Sequence, residues 1–379
     1  MTDELEVKWG LEGVAVASSS ISFLDGEEGK LIYRGFDIRD LAEGSSFEEV
    51  CYLLWFGSLP SDDELEWISL ELSKERELPR EIVEVMKLLP KNAHPMDILR
   101  SVVSLLGVYA NDNSVSFKNA ISLTAKLPTI VAYWYRIKNG LPLVGPEGGL
   151  GHSDNFLYMM FGRVPENSHL FDKALILHAE QEINASTFSA MVTSSTLSDI
   201  FSAVTSAIGT LKGSLHGGAN EKVFSMLEEI GDVGCVESYV DLLISRKERI
   251  MGFGHRVYKT YDPRALMLKE WLMELSLKDE VKYLDIALKL EEVVLSRFKD
   301  RKIYPNMDFY SGILYNYFGI PKEFFTALFA MARVVGWTAH VIEYRKDNRL
   351  FRPISVYVGP KGLKYKEVKE SFRRVSGLG

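Results

Sequence analysis

Between Lys322 and Arg345 the chain is apolar on several faces of one continuous helical stretch, a pattern that suits either a membrane span or a helix buried on all sides. Glu323, Arg333, His340 and Glu343 interrupt the run and no basic flank asymmetry follows it, so a buried core helix is the expected form. The rest of the chain also reads mostly as helix. Ser46-Phe47-Glu48-Glu49 has the pattern of a capped helix start leading into Val50–Trp55, and Gly57 and Pro60 end that helix. Asp262-Pro263-Arg264 pairs an N-cap acid with proline at the first helical position, which puts Arg264 in the first turn. From Ser198 to Leu211, Ser, Ala, Thr and Gly are interleaved with apolar residues and permit close helix packing beneath the segment that follows. Only residues 20–24 and 30–34, flanking Asp25-Gly26-Glu27-Glu28-Gly29, read as a hairpin. The expected class is all-α with a small N-terminal β-hairpin, and 379 residues favour division into two lobes.

A formal net charge of -8 argues against general affinity for nucleic acid or for anionic membranes, although a local basic cluster can still take a small phosphorylated ligand. Cys51 and Cys235 stand far apart with no C-x-x-C partner, so neither a disulfide framework nor a zinc site is expected. The acidic N-terminus lacks a basic-then-apolar signal pattern, and an intracellular, cytoplasmic setting is the expectation.

Three motifs carry polar side chains in Gly- or Pro-rich settings, where the backbone can approach a ligand closely. They are Gly213-Ser214-Leu215-His216-Gly217-Gly218-Ala219-Asn220, Met251-Gly252-Phe253-Gly254-His255-Arg256 and Tyr304-Pro305-Asn306-Met307-Asp308. Taken singly, each histidine reads as a structural loop group and Asp308 as a helix cap. Together, two imidazoles able to polarise carbonyls and one carboxylate among apolar neighbours suit carbon-acid chemistry. Arg333 sits inside Phe329–Val335, where an unpaired guanidinium would be strongly unfavourable, so an anion must meet it: Glu343, another acid, or a ligand. Arg264 and Arg352 add two forks suited to carboxylates, and the three arginines favour a dicarboxylate substrate. No G-x-S-x-G elbow accompanies His216-Gly217-Gly218, Gly252-Phe253-Gly254 lacks the third glycine of a dinucleotide fingerprint, and no phosphate loop or metal-ligand spacing is present.

These ordered motifs, with Asp262-Pro263-Arg264 and the region from Arg333 to Arg352, resemble the citrate synthase family in its compact archaeal and bacterial form over almost the whole chain. The resemblance implies condensation of oxaloacetate with acetyl-CoA and hydrolysis of the citryl thioester to citrate and CoA, with no permanently bound cofactor and no metal. It implies that Asp308 removes the acetyl methyl proton, His216 hydrogen-bonds the thioester oxygen and His255 polarises the ketone. Arg264, Arg333 and Arg352 match carboxylate-binding positions, the last reaching the site from the partner of a homodimer. Arg249, Ile250, Met251, Gly252, Phe253, Lys259 and Asn306 match positions associated with CoA. The implied fold has a large dimerising domain, 1–217 with 326–379, and a small mobile domain, 218–325, that closes over substrate. The sequence departs from the family at one point, where Gln181, its only glutamine, stands three residues after His178 in place of a second histidine. An amide donates a hydrogen bond but carries no charge, so substrate selectivity is open at this position and 2-methylcitrate synthase, using propionyl-CoA, is the alternative.

Overall fold

A computed structural model describes residues 6–301 and 303–365. Two units are distinguished, one made of the terminal segments before Ser19 and after Leu350, the other of Ser19–Leu350. Helices dominate the second unit, as the periodicity leads one to expect. They are α1 (Ile38–Gly44), α2 (Phe47–Phe56), α3 (Asp62–Lys74), α4 (Arg80–Leu88), α5 (Pro95–Tyr109), α6 (Phe117–Lys138), α7 (His152–Phe161) and α8 (His169–His178). There follow α9 (Ala185–Ser195), α10 (Ile200–Leu211), α11 (Ala219–Ile230), α12 (Val236–Arg246), α13 (Pro263–Ser276), α14 (Leu284–Arg297), α15 (Met307–Tyr317) and α16 (Phe325–Lys346).

Local signals set the helix ends. Ser46 Oγ accepts from the Glu49 amide while the Glu49 carboxylate accepts from the Ser46 amide, a reciprocal cap that satisfies two orphan donors of α2. Gly57 ends α2 at φ 94°, a left-handed conformation that a residue with a Cβ rarely adopts. Asp262 caps α13 through the Arg264 amide, with Pro263 at the first position. Asn306, and not Asp308, caps α15, because its side chain accepts from the Asp308 amide. Asp308 is thereby left free of the capping role.

The hairpin forms between β1 (Ser22–Asp25) and β2 (Lys30–Tyr33), with Ser22 opposite Tyr33 and Asp25 opposite Lys30. A third strand, β3 (Phe36–Asp37), extends it antiparallel to β2, and at two residues it is too short to show alternation in sequence. The turn is not free in solvent. A Cβ on Gly26 would lie 2.3 Å from the Val257 carbonyl oxygen, and the Gly26 carbonyl accepts from the Lys259 amide at 2.8 Å. The hairpin tip therefore supports the loop that leads from His255 to Arg264.

The apolar run becomes a 3-10 turn, Lys322–Phe324, followed by α16. This is the one stretch among the described residues long and apolar enough to cross a membrane, and 94% of its most apolar window is buried inside the fold. It packs against α2, α5, α6, α8, α9 and α10. Each large apolar side chain it buries, such as Phe325 or Trp337, contributes about 1.5–3 kcal/mol, and such burial offsets the placing of Arg333 in the same helix. Close passage depends on Gly336, where a Cβ would meet Glu180 Oε2 at 2.1 Å and the Ala179 carbonyl oxygen at 2.6 Å. Helix α16 can thus press on the segment that follows α8.

Candidate active site

The packing of α16 on the end of α8 decides the surroundings of Arg333. Its side chain is fully buried, Nε donates to the His178 carbonyl at 2.6 Å, and the guanidinium lies 4.7 Å from the Phe329 ring centroid. The last carbonyls of a helix carry partial negative charge, which suits this contact. Nη1 and Nη2 have no hydrogen-bond partner among the described residues. Burial lowers the Arg333 pKa to about 10, against the opposing pull of Glu180. Glu343 is not its partner. That carboxylate instead accepts from Ser20, by its amide at 3.0 Å and its hydroxyl at 2.7 Å, and lies 3.6 Å from Arg34.

Arg264 is also buried, and its side chain forms no surface pair. Nε and Nη2 donate to the two Asp262 oxygens at 2.9 and 2.7 Å. Asp262 Oδ2 accepts in addition from the Met307 amide at 3.3 Å, which joins the ion pair to the first turn of α15. Asp308 follows in that turn. Burial raises its pKa to about 7, with Arg264 and Arg333 pulling it down and Asp262 pushing it up. A carboxyl poised there is half ionised near neutrality, a poise that suits proton transfer at that pH.

Two backbone segments hold this turn in place. The Gly254 amide donates to the Tyr304 carbonyl and the Asn306 amide to the Gly252 carbonyl, each at 2.8 Å. Asn306 Nδ2 donates to the Gly254 carbonyl at 2.9 Å, so both ends of that side chain are used within the protein. Gly252, at φ 79°, is doubly required, since a Cβ would also lie 2.8 Å from Val223 Cγ2 and 2.9 Å from Phe309 Cδ2.

His255 Nδ1 accepts from the Val257 and Tyr258 amides, both at 3.1 Å. The ring proton must then sit on Nε2, which faces the Gln181 amide nitrogen position at 3.0 Å. A donor cannot face a donor, so the Gln181 amide is turned to present its oxygen to His255. Burial drives the His255 pKa down to about 4, Asp262 opposing and Arg264 assisting. His216 is likewise held near 4 by burial and then by Arg333. Both imidazoles are neutral hydrogen-bonding groups at pH 7. His216 Nε2 lies 2.8 Å from Ser186 Oγ, which accepts from the Trp337 indole at 3.0 Å and donates to Asn184 Oδ1 at 2.8 Å. Turning the Ser186 proton from Asn184 to His216 places the imidazole proton on Nδ1. The loop turns sharply enough only because Gly217 has no Cβ, which would lie 2.9 Å from the Leu211 carbonyl oxygen.

The structure brings His216, His255, Asp308, Gln181, Arg264 and Arg333 into one electrostatically coupled cluster. Of the residues expected at CoA, Arg249 and Lys259 are exposed, Ile250, Met251, Phe253 and Asn306 are half-buried, and Gly252 is buried. Arg352 belongs to the terminal unit, where it is exposed and donates to the Pro353 carbonyl at 2.6 Å. Sequence reasoning missed Asp262 as an ionic partner, Ser186, Glu180 and Gly336. Only Asp262 carried a signal, its spacing of two from Arg264.

The model of the citrate synthase C-terminal domain matches residues 10–354. A citrate synthase of Deinococcus radiodurans is 45% identical over 369 residues, 95% of this chain and 98% of that one. The crystal structure of citrate synthase from Thermotoga maritima superposes with a TM-score of 0.88 at 49% identity, covering 95% of this chain and 98% of that one. A ternary complex of carboxymethyl coenzyme A and oxaloacetate with the citrate synthase of Thermoplasma acidophilum gives 0.91 at 36% identity, covering 96% and 99%. With a family match over residues 10–354 and relatives 45–49% identical along nearly the full length of both chains, this chain belongs to the citrate synthase family.

Proposed function

We propose that the protein condenses acetyl-CoA with oxaloacetate and hydrolyses the resulting citryl thioester, releasing citrate and free CoA. The observation that carries this reading is Arg333, a buried guanidinium whose two terminal nitrogens lack acceptors among the described residues, beside a carboxyl poised near neutrality. A buried cation of this kind is complete only when an anionic ligand arrives. Arg264 and Arg333 take the carboxylates of oxaloacetate, and Gln181 contacts the same substrate. Asp308 accepts a methyl proton of acetyl-CoA while neutral His216 donates to the thioester oxygen, which spreads the developing charge. The enol carbon then bonds to the ketone carbon, and His255 gives its Nε2 proton to the alkoxide. Water attacks the thioester carbonyl, and CoA leaves as the thiol.

Carboxymethyl coenzyme A and oxaloacetate bound together in the Thermoplasma acidophilum relative support the choice of substrates. Residues 249–253, Lys259 and Asn306 face CoA in this reading, the protein is a homodimer, and Arg352 comes from the partner. Residues 218–325 act as a small domain that closes over both substrates and excludes water while the enol exists. Thiol release measured with oxaloacetate and either acetyl-CoA or propionyl-CoA tests the reading. Release with acetyl-CoA is expected; release with propionyl-CoA alone would replace citrate by 2-methylcitrate as product, and none with either would refute the activity.

A further inference from the structure

Glu291, on α14, is 3% exposed and accepts from three donors on three other segments. The phenol of Tyr310 on α15 and the ammonium of Lys269 on α13 donate to Oε2, Lys269 at 2.9 Å, and the Tyr261 phenol donates to Oε1 at 3.0 Å. Each donor adjoins a group in the candidate site. Tyr310 lies two residues after Asp308, Tyr261 directly precedes Asp262, and Lys269 follows Arg264 on the same helix. Tyr261 is held on its other side by Tyr304, with ring centroids 4.5 Å apart. Burial and the charge of Glu291 push both phenols well above the usual tyrosine range, so both remain neutral donors.

We propose that Glu291 is a positioning residue that locks the Asp262–Arg264 clamp and the helix carrying Asp308 into one frame, and so sets how the acetyl methyl meets the ketone. This role rests on the condensation reading above. Among the described residues Glu291 hydrogen-bonds Tyr261, Lys269 and Tyr310, none of which is placed at the substrates in that reading. Its effect runs through two phenols to the two sides of the reaction, and a displacement of about 1 Å between such sides can cost roughly a hundredfold in rate.

The test compares Tyr310→Phe, Tyr261→Phe, Glu291→Gln and Glu291→Leu with the wild type. Turnover is expected to fall about tenfold to a hundredfold in Tyr310→Phe and Glu291→Leu, and less in Glu291→Gln, which keeps an oxygen acceptor for the phenols. Oxaloacetate affinity by calorimetry is expected to change little, because Arg264 keeps Asp262. The acid limb of the turnover profile is expected to move, since Asp308 faces Asp262 at the cap of α13, Arg264 in its first turn and Arg333 from α16, and the Asp262–Arg264 pair would shift as a unit relative to Asp308. A tie that merely adds stability would lower the melting temperature and leave turnover and the acid limb alone, and that result in Tyr310→Phe and Tyr261→Phe overturns the proposal. Should Glu291→Leu fail to fold, the tyrosine variants, each lacking a single oxygen, decide the matter. A wild type that releases no thiol refutes the reaction and this role with it, whereas active wild type with indifferent variants refutes the role alone.

Discussion

Gln181 and His255 meet across 74 residues of sequence, amide against Nε2 at 3.0 Å, with the imidazole proton directed at the glutamine by two backbone amides on Nδ1. The glutamine oxygen accepts the imidazole proton that, in the proposed reaction, is given to the ketone oxygen. A neutral amide does not titrate between pH 5 and 8, and an imidazole does. Gln181→His is therefore expected to remain active and to gain oxaloacetate affinity as pH falls by more than the wild type does, the extra gain coming from protonation of the new imidazole. Isothermal titration across this range is the measurement. A strong change in the acetyl-to-propionyl ratio with an unchanged oxaloacetate profile would put Gln181 beside the acyl group instead.

Asp308 holds its proton up to about pH 7 in the folded protein, against about 3.9 in an unfolded chain. Between these values the folded state carries the extra proton, so the contribution of Asp308 to stability falls as pH rises and is fully lost above about 7. Asp308→Asn removes that loss. The variant is expected to match the wild type near pH 4 and to be more stable at pH 8, by at most about 4 kcal/mol. Its turnover is expected to drop roughly a hundredfold to ten-thousandfold, as for loss of a general base. Melting curves at both pH values, with a thiol-release assay, check both halves.

For the wild type, kcat/KM is expected to decline as pH drops below about 7, because protonated Asp308 cannot accept the methyl proton. Both histidines are already neutral there and add no limb until near pH 4. A rate profile flat from pH 8 to 5 would remove Asp308 from the proton transfer.

Arg333→Leu separates a ligand cation from a structural one. Loss of a buried, hydrogen-bonded charge contact is expected to weaken oxaloacetate binding by at least roughly thirtyfold. The melting temperature of the free protein is expected to hold or rise, since an apolar side chain replaces a desolvated guanidinium with two nitrogens unpartnered among the described residues. Lowered melting temperature with retained affinity would instead assign Arg333 to the fold.

Arg352 is tested by complementation. Asp308→Asn and Arg352→Ala homodimers are both expected to be inactive. Refolded together, they are expected to recover roughly a quarter of wild-type activity, because one site of each mixed dimer takes an intact residue from each chain. Heterodimers confirmed by mass that show no thiol release would place Arg352 in its own subunit's site or outside any site.

Local chemistry was enough to read the helix caps at Ser46 and Asp262, the hairpin at 25–29 and the glycine-rich turns around His216 and His255. A cap or turn is completed within a few residues, so spacing alone reveals it. The same local motifs carried the family and the six residues that cluster in the site. What answers Arg333 lay beyond them: its partner is a carbonyl 155 positions away, while Glu343, nearer in sequence, is held by Ser20 and Arg34. Gly336 reads as a small residue in an apolar helix until Glu180 is packed 2.1 Å from where its Cβ would stand. Glu291 reads as one more acid on a helix until two phenols and a lysine converge on it. Sequence determined which groups exist and how each local segment turns. Burial and the choice of partner were decided by the tertiary fold, because contacts between residues far apart in the chain leave no periodicity to read.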